Sequence, residues 1–290
     1  MHDEKLDDAL SYIESHLDKK LNAEEISAFV GLSQFHFQRQ FRAYYELNFY
    51  DLIKNLRLKR AAYQLAYRED KIIDIALNAH YQSPEAFSRA FLKVFNQTPS
   101  AFRQAADWSF WQKNHHFALA DRKAKSVNHA SAPVELVTLE SMTLAYLSHK
   151  GDPALLGQTI RGFIDWRKTS SLPPSKSRTF NLLYHDPNTV PASEFRFDIA
   201  CEYFKNSLDS NSIEAGLELR RLEQGPFLKV RHLGSDDELA GTISDLYQAC
   251  IGQEGCDLRD FPLVLERVRF FPDVSENEAI TDIYLAVQTS

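Results

Sequence analysis

The sequence predicts two domains, an all-α domain followed by an α+β domain. Residues 33–41 (SQFHFQRQF) recur fifty positions later as residues 83–91 (SPEAFSRAF), with Ser, Phe, Arg and Phe in register. A second pair of similar segments, residues 143–151 and 227–234, lies in the C-terminal half. A chain of 290 residues is also longer than one typical domain.

The segments at residues 33 and 83 each predict the start of a helix. Ser33 and Ser83 are good N-caps, because a serine oxygen accepts a hydrogen bond from an N–H group of the first turn. Pro84 follows Ser83 at the first helical position, where proline is tolerated best. Within each segment the two phenylalanines lie four residues apart on one face, and the arginine between them points away from that face.

Each of these helices follows a shorter predicted helix. The first short helix has a capping-box start at Asn22 and Glu25 and ends near Gly31. The second carries Ile72, Ile75 and Ala76 at helical spacing. Helix, short turn and capped helix form the helix-turn-helix pattern. Between the two copies, residues 51–67 predict one helix of about 25 Å, at 1.5 Å per residue.

These motifs resemble the DNA-binding domain of the AraC/XylS family of bacterial transcription regulators over residues 6–104. The matching stretches are residues 31–41, 83–91 and 95–103. His80 and Ser27 depart from the family, which usually has Gly and Ala there. The resemblance implies double-stranded DNA as partner, RNA polymerase as a further candidate, and binding as a monomer through both helices. The residues that we expect to contact DNA are Phe35, Gln38, Arg39, Arg42, Pro84, Glu85, Ser88 and Arg89.

The distribution of charge agrees with a DNA-binding N-terminal half, although the net charge of the chain is −7. Residues 1–130 hold a small excess of basic residues, and the acidic excess lies in residues 131–290. Residues 33–45 contain Arg39 and Arg42 and no acid. We therefore expect a locally positive reading surface and modest non-specific binding.

The predicted domain boundaries are 1–107 for the DNA-binding domain, 108–132 for a linker and 133–290 for the second domain. The linker histidines, His115, His116 and His129, lack Cys or carboxylate neighbours at metal-ligand spacing, so we expect no metal and no cofactor. No signal peptide or membrane-spanning run is visible. The three cysteines lack a metal-finger spacing. A cytoplasmic protein with reduced cysteines is expected.

The second domain is predicted to contain two βαββ repeats. Residues 143–151 and 227–234 are strand-like and end in His-x-Gly, and helical stretches follow at residues 153–168 and 236–251. Two further strands follow each helix, at residues 180–184 and 195–204 in the first half and at residues 263–270 and 280–287 in the second. Two such halves give a curved sheet with a shared groove.

This second domain resembles the GyrI-like effector-binding domain. The supporting segments are residues 184–187 (YHDP), 232–234 (HLG), 261–266 (FPLVLE) and 281–285 (TDIYL). The order of the domains resembles the right-origin-binding type of AraC regulator. The resemblance implies a small-molecule effector, and it places Glu266 where relatives often face cationic, aromatic-rich ligands.

A carboxylate such as Glu266 is costly to bury on an apolar strand unless a cation or several donors meet it. That partner is either a ligand or an internal arginine, for which Arg231, Arg267 and Arg269 are candidates. Aromatic rings that can line the pocket lie on the strands and the first helix of the domain. The residues that we expect to contact the ligand are Tyr146, Trp166, Tyr184, Tyr203, Glu266 and Tyr284.

The sequence contains none of the common catalytic motifs, such as G-x-S-x-G, a Walker loop or H-E-x-x-H. We therefore expect a transcription regulator that senses a small, lipophilic or cationic molecule, and not an enzyme. Two alternatives stay open, in which the second domain binds a protein partner or hydrolyses a small molecule with Glu266 as base.

Overall fold

The computed structural model describes residues 2–115, 133–185, 190–252 and 256–289. The chain divides into two units. The first consists of residues 1–130 and 271–278, and the second of residues 131–270 and 279–290.

The described part of the first unit is helical. Its helices are α1 (His2–Ser15), α2 (Ala23–Phe29), α3 (Gln34–Tyr45), α4 (Phe49–Tyr67), α5 (Ile72–Asn78), α6 (Pro84–Phe95), α7 (Pro99–Gln104) and α8 (Ser109–His115). Helices α2 and α3 form one helix-turn-helix, and α5 and α6 form the other. The long connecting helix predicted over residues 51–67 is confirmed as α4, which has 19 residues.

Helix α4 contributes to two separate hydrophobic cores. Leu52, Ile53 and Leu56 pack with α1 to α3, while Ala62 and Leu65 pack with α5 to α8. Because one continuous helix belongs to both cores, it holds the two helix-turn-helix modules together within the unit.

The second core extends into the segment that the sequence predicted as a linker. Trp111 on α8 is buried, and its ring stacks on Phe95 with centroids 5.1 Å apart. Trp108 packs against the same core. Residues 116–132, which include His116 and His129, lie outside the described residues, so the expectation for those two histidines has no structural counterpart.

Residues 271–278 also belong to the first unit. Glu276 forms an ion pair with Lys59 of α4, with 2.6 Å between Nζ and Oε1, and both side chains are nearly buried. Asn277 donates from Nδ2 to the hydroxyl of Ser15 at 2.8 Å.

The second unit contains a nine-stranded sheet and three α-helices in its described part. The strands are β1 (Glu135–Leu139), β2 (Met142–Lys150), β3 (Thr179–Leu183), β4 (Arg196–Glu202), β5 (Glu218–Leu222), β6 (Gly225–Leu233), β7 (Cys256–Leu258), β8 (Leu263–Arg269) and β9 (Ile280–Thr289). The helices are α9 (Leu156–Thr169), α10 (Ser210–Glu214) and α11 (Leu239–Ile251).

The strands are antiparallel and follow the order β1-β6-β9-β8-β3-β4-β2-β5, with β7 paired to β9. The six strands and two helices predicted from the sequence are present. Strands β1, β5 and β7 and helix α10 were not predicted.

The sheet has two chemically different faces. On one face, α11 packs over Leu228 and Ile283, and α9 packs over Ala145 and Cys201. The other face carries a cluster built from strand residues and their immediate neighbours, without a residue of any described helix. We call it the helix-free face. It is defined by the buried residues Met142, Leu144, Tyr146, Phe180, Leu182, Ala200, Leu222, Phe227, Val264, Tyr284 and Ala286, with Tyr184 and Phe261 packed against them.

Candidate DNA-reading helices and ligand-binding face

Helix α3 begins as the sequence predicts and presents a polar face. The Ser33 hydroxyl accepts from the backbone N–H of His36 at 3.3 Å. Phe37 and Phe41 are fully buried, which fixes the rotation of the helix about its axis. The four residues expected to contact DNA, namely Phe35, Gln38, Arg39 and Arg42, are all exposed.

Arg39 and Phe35 form one continuous patch on this face. The guanidinium carbon of Arg39 lies 5.4 Å from the centre of the Phe35 ring, which is 63% exposed. An exposed ring beside a cation offers both apolar and electrostatic contact to a partner.

Helix α6 repeats this arrangement with different chemistry. Ser83 accepts from the N–H of Ala86 at 3.2 Å, and Phe87 and Phe91 are fully buried. Glu85 and Arg89 are exposed. Pro84 and Ser88 are partly exposed.

The acid at the start of α6 is held in its ionised form. Hydrogen bonds from its own backbone N–H and from Ser83, together with the nearby charge of Arg89, lower the pKa of Glu85. The first turn of α6 therefore carries a negative charge at a position where α3 carries the Phe35 ring.

The turn before α6 is one residue longer than the turn before α3, and the two turns have different residues at the position with positive φ. Gly31 adopts a left-handed conformation with φ of 65°, and His80 adopts φ of 62° at the equivalent place. His80 is tied to the chain by its ring, since Nε2 lies 2.9 Å from the carbonyl oxygen of Asp18. A histidine thus replaces glycine in a backbone conformation that normally favours glycine.

In the second unit, Glu266 lies on the helix-free face and has internal partners. The Tyr284 hydroxyl donates to its Oε2 at 2.8 Å, and Nη1 of Arg178 lies 3.9 Å from its Oε1. Burial, together with the Glu266 carboxylate, raises the pKa of Tyr284 well above its usual value. The Glu266 side chain is only 14% exposed.

The arginine beside Glu266 is not one that the sequence suggested. Arg231 pairs instead with Asp282, and Arg267 pairs with Asp236, each at 2.6 Å. Arg178 also binds Glu202, with 3.0 Å between Nε and Oε2, and its guanidinium lies 5.3 Å from the Phe180 ring. The Arg178 guanidinium therefore already lies over the Phe180 ring and between the carboxylates of Glu202 and Glu266.

A second polar network on the same face surrounds Tyr184. Its hydroxyl donates to Oδ2 of the fully buried Asp198 at 2.6 Å and accepts from Arg220. Arg196 forms an ion pair with Asp198 at 2.9 Å, and its guanidinium lies 4.2 Å from the Tyr184 ring. Burial, followed by the hydrogen bond to Asp198, raises the pKa of Tyr184 to about 12.

Tyr146 completes the set of tyrosines on this face. Its hydroxyl donates to Oε2 of Glu218 at 2.7 Å. Burial and this carboxylate raise the pKa of Tyr146 to about 12.

Trp166 and Tyr203, which the sequence grouped with these residues, lie elsewhere. Both belong to the core between α9 and the opposite face of the sheet. The Trp166 indole donates to the hydroxyl of Ser212 at 2.8 Å, so its polar group has an internal partner. The expectation that these two rings join Tyr146, Tyr184 and Tyr284 is wrong in this geometry. Trp166 lies on helix α9, which packs on the opposite face of the sheet, and Tyr203 follows Glu202, so its side chain alternates to that same opposite face.

The cysteines also depart from expectation. Cys250 and Cys256 form a disulfide with their Cα atoms 5.6 Å apart, and Cys201 is free and buried. In the part of the chain that the structure describes, no group of His, Cys, Asp and Glu is arranged to hold a metal ion. Within the same part, no helix combines the length and the apolar character needed to span a membrane.

Two capped helices with exposed polar faces, joined through one long helix, define a double helix-turn-helix protein. Residues 26–105 match a helix-turn-helix domain family, and residues 132–288 match the GyrI-like small molecule binding domain. The chain belongs to the AraC-type transcription regulators that carry a C-terminal GyrI-like domain.

Relatives of similar sequence include transcription regulators. The chain is 29% identical over 153 residues to the probable transcriptional regulator YgiV of Escherichia coli K12, covering 52% of this chain and 94% of the relative. It is 36% identical over 102 residues to the transcriptional regulator Rob of Salmonella typhimurium, covering 35% of each chain. A solved AraC-type regulator structure from Chromobacterium violaceum shares 30% identity, with a TM-score of 0.33, over 34% of this chain and 92% of the other.

Proposed function

We propose that this regulator binds DNA as a single polypeptide and reads an asymmetric site with α3 and α6. In this proposal Phe35, Gln38 and Arg39 contact base edges and Arg42 contacts the backbone. Residues 84, 85, 88 and 89 have the parallel role in α6. The observation that carries the proposal is the pair of capped helices, each with its phenylalanines buried and its arginine exposed.

The experiment that tests this role is selection of binding sites from a random DNA pool by the full chain. The expected result is a site with two different conserved blocks, because the two reading faces differ in sequence. A pool that is not enriched after selection contradicts sequence-specific binding. A DNA partner also implies that the protein works at the bacterial nucleoid in the cytoplasm, where contact with RNA polymerase is a further part of the proposal.

We also propose that the two halves of the second unit are βαββ repeats that share the helix-free face. In the first half, Nδ1 of His149 lies 2.8 Å from the Thr159 hydroxyl and Nε2 lies 3.0 Å from a backbone carbonyl oxygen. His232 makes the same two contacts, with Thr242 at 2.8 Å and a carbonyl oxygen at 3.0 Å. Equal hydrogen bonding at equal positions supports a common origin for the halves.

The effector in this proposal is a lipophilic small molecule that contacts Tyr146, Tyr184 and Tyr284. If it is cationic, as the resemblance implies, it must compete with Arg178 for Glu266. Glu266→Gln then lowers affinity for the tetraphenylphosphonium cation and spares a neutral analogue of similar size. Loss of affinity for both probes contradicts a charge-specific role of Glu266, and titration calorimetry distinguishes the results.

The hydrolase alternative has less support. A general base must be free to accept a proton from water. In this chain both oxygens of Glu266 already have partners, because Tyr284 donates to Oε2 and Nη1 of Arg178 lies 3.9 Å from Oε1, so neither oxygen is free to take a proton from water. No contact of the described residues specifically favours a protein partner at the helix-free face.

A further inference from the structure

Four acids on the helix-free face, namely Asp198, Glu202, Glu266 and Asp282, have cationic partners from the protein itself, and a fifth, Glu218, accepts from the Tyr146 hydroxyl. Glu202 and Glu266 share Arg178, and Asp198 pairs with Arg196. Asp282 pairs with Lys229 at 2.9 Å and with Arg231 at 2.6 Å. Buried and half-buried carboxylates of this kind need no external cation, because their charge is already met.

Two arginines on the same face differ from the others. In the described part of the chain, neither Arg220 nor Arg259 has a carboxylate within ion-pair distance. Arg220 donates to the Tyr184 hydroxyl, and its guanidinium lies 5.1 Å from the Phe261 ring. Arg259 lies 4.7 Å from the Phe227 ring and donates from Nη2 to the carbonyl oxygen of Pro226 at 3.3 Å.

Arg259 has an unmet donor. Its Nε is buried and has no hydrogen-bond partner. Buried donors are almost always paired, so an unpaired guanidinium nitrogen calls for an explanation. Gly225 leaves space for this guanidinium, because a Cβ at that position would lie 2.7 Å from Nη1.

The two arginines lie against neighbouring aromatic rings. Phe227 and Phe261 are in edge-to-face contact, with ring centroids 6.2 Å apart, and each ring carries one guanidinium on its face. Arg220 is further positioned by Tyr184, which Asp198 holds in place. The result is a local excess of positive charge over apolar rings, opposite in sign to what Glu266 suggested from the sequence.

We propose that Arg220 and Arg259 bind the carboxylate of a small organic acid whose flat apolar body lies against Phe261, which is the partly exposed ring of the pair, since Phe227 is fully buried. This proposal rests on the proposed function, small-molecule binding on the helix-free face, and specifies the charge of the ligand. A planar guanidinium matches a carboxylate with two parallel hydrogen bonds, and aromatic rings line the sites of most small ligands.

The test uses three probes of one shape on the full chain: 2-naphthoate, 2-naphthamide and 2-naphthylmethylammonium. Titration calorimetry measures the dissociation constant of each. The expected order of affinity is carboxylate first, amide second and ammonium last. Since a hydrogen bond to a charged group contributes about 1.5–3 kcal/mol, Arg220→Gln and Arg259→Gln each lower the affinity for 2-naphthoate about tenfold or more.

The chain provides a matched control for Arg220. Arg221 is the next residue on β5, is exposed, and pairs with Glu223 at 3.4 Å. Arg221→Gln removes the same charge from the opposite side of the strand and leaves 2-naphthoate binding unchanged. Arg220→Lys keeps the charge but not the paired donors, so its affinity falls between those of the wild type and Arg220→Gln. An unchanged circular dichroism spectrum and unfolding temperature of each variant show that it is folded.

The outcomes separate this proposal from the broader one. Tighter binding of the ammonium or amide probe than of the carboxylate overturns the anion site and leaves small-molecule binding in place. Equal losses in Arg220→Gln and Arg221→Gln overturn the specific role of Arg220. If no probe binds, the carboxylate site is rejected. The broader proposal, small-molecule binding on the helix-free face, then depends on whether the tetraphenylphosphonium cation binds.

Discussion

The two helix-turn-helix modules have the same construction and different reading faces. Ser33 and Ser83 cap their helices in the same way, and each module buries two phenylalanines four residues apart. At the exposed positions, Phe35 corresponds to Glu85 and Gln38 to Ser88, while Arg39 and Arg89 are alike. The residues that define the module are therefore repeated, whereas those available to a partner differ except for the arginine, as the proposed asymmetric DNA site requires.

The largest expected effect concerns the corresponding cores of the two modules. Phe41 and Phe91 are both fully buried, and each contacts three other aromatic rings, among them Phe37 and Phe87 respectively. Phe41→Ala or Phe91→Ala lowers the free energy of unfolding by about 3–5 kcal/mol, since the ring is lost and a cavity remains. Urea denaturation followed by circular dichroism measures the change. A loss below about 1 kcal/mol for either variant contradicts the equivalence of the two cores.

The next largest expected effect is on DNA affinity, and it concerns the exposed arginines and not the buried cores. Arg39→Ala and Arg89→Ala each weaken binding to the selected site by about 1–3 kcal/mol and relax the preference at one base pair. Fluorescence anisotropy with labelled DNA measures the affinity. Arg39→Lys is the matched control, because it keeps the charge but not the bidentate geometry that reads guanine. If both alanine variants bind as tightly as the wild type, the model with two reading helices is wrong.

A smaller effect concerns the turns, where Gly31 and His80 differ. Gly31→Ala places a side chain at φ of 65°, and the new Cβ meets only the end of Lys5 at 3.5 Å. The cost is therefore backbone strain, about 1 kcal/mol of unfolding free energy. His80→Gly removes the same strain but also the contact with Asp18, so we expect a smaller net change. A thermal-unfolding series of the two variants and the wild type gives the ranking, and equal shifts contradict it.

The smallest effect on affinity, but a specific one, comes from Glu85. An ionised carboxylate in the first turn suits the helix dipole and repels phosphate. We expect Glu85→Gln to broaden the set of bound sites, because the acid either accepts from a cytosine amine or excludes other bases. Repeating the selection with the variant measures this. If the consensus of the selected sites is unchanged, the prediction is wrong, and Glu85 only stabilises the start of α6.

The helical unit was predictable because its signals are local. Asn22, Ser33 and Ser83 each cap the helix that follows directly, and the phenylalanine spacing marks the buried face. The role of Trp111 was missed, since nothing near it in sequence indicates that it stacks on Phe95.

The sheet was only partly predictable, because its contacts join distant residues. Strand β5 (ELRRL) is short and charged, and it exists through pairing with β2. The partner of Glu266 is Arg178 on a segment next to β3, which pairs with β8. No spacing rule could reveal that contact, nor could it show that Trp166 and Tyr203 lie together in the core between α9 and the sheet.

The central claim is that one polypeptide reads two neighbouring major-groove segments, and methylation interference on the selected site tests it most directly. The account predicts two clusters of sensitive guanines about one duplex turn, roughly 34 Å, apart. It also predicts a complex of one chain per site by analytical ultracentrifugation, and loss of one cluster only in Arg39→Ala and of the other only in Arg89→Ala. A single cluster, or a palindromic pair bound by two chains, contradicts the account.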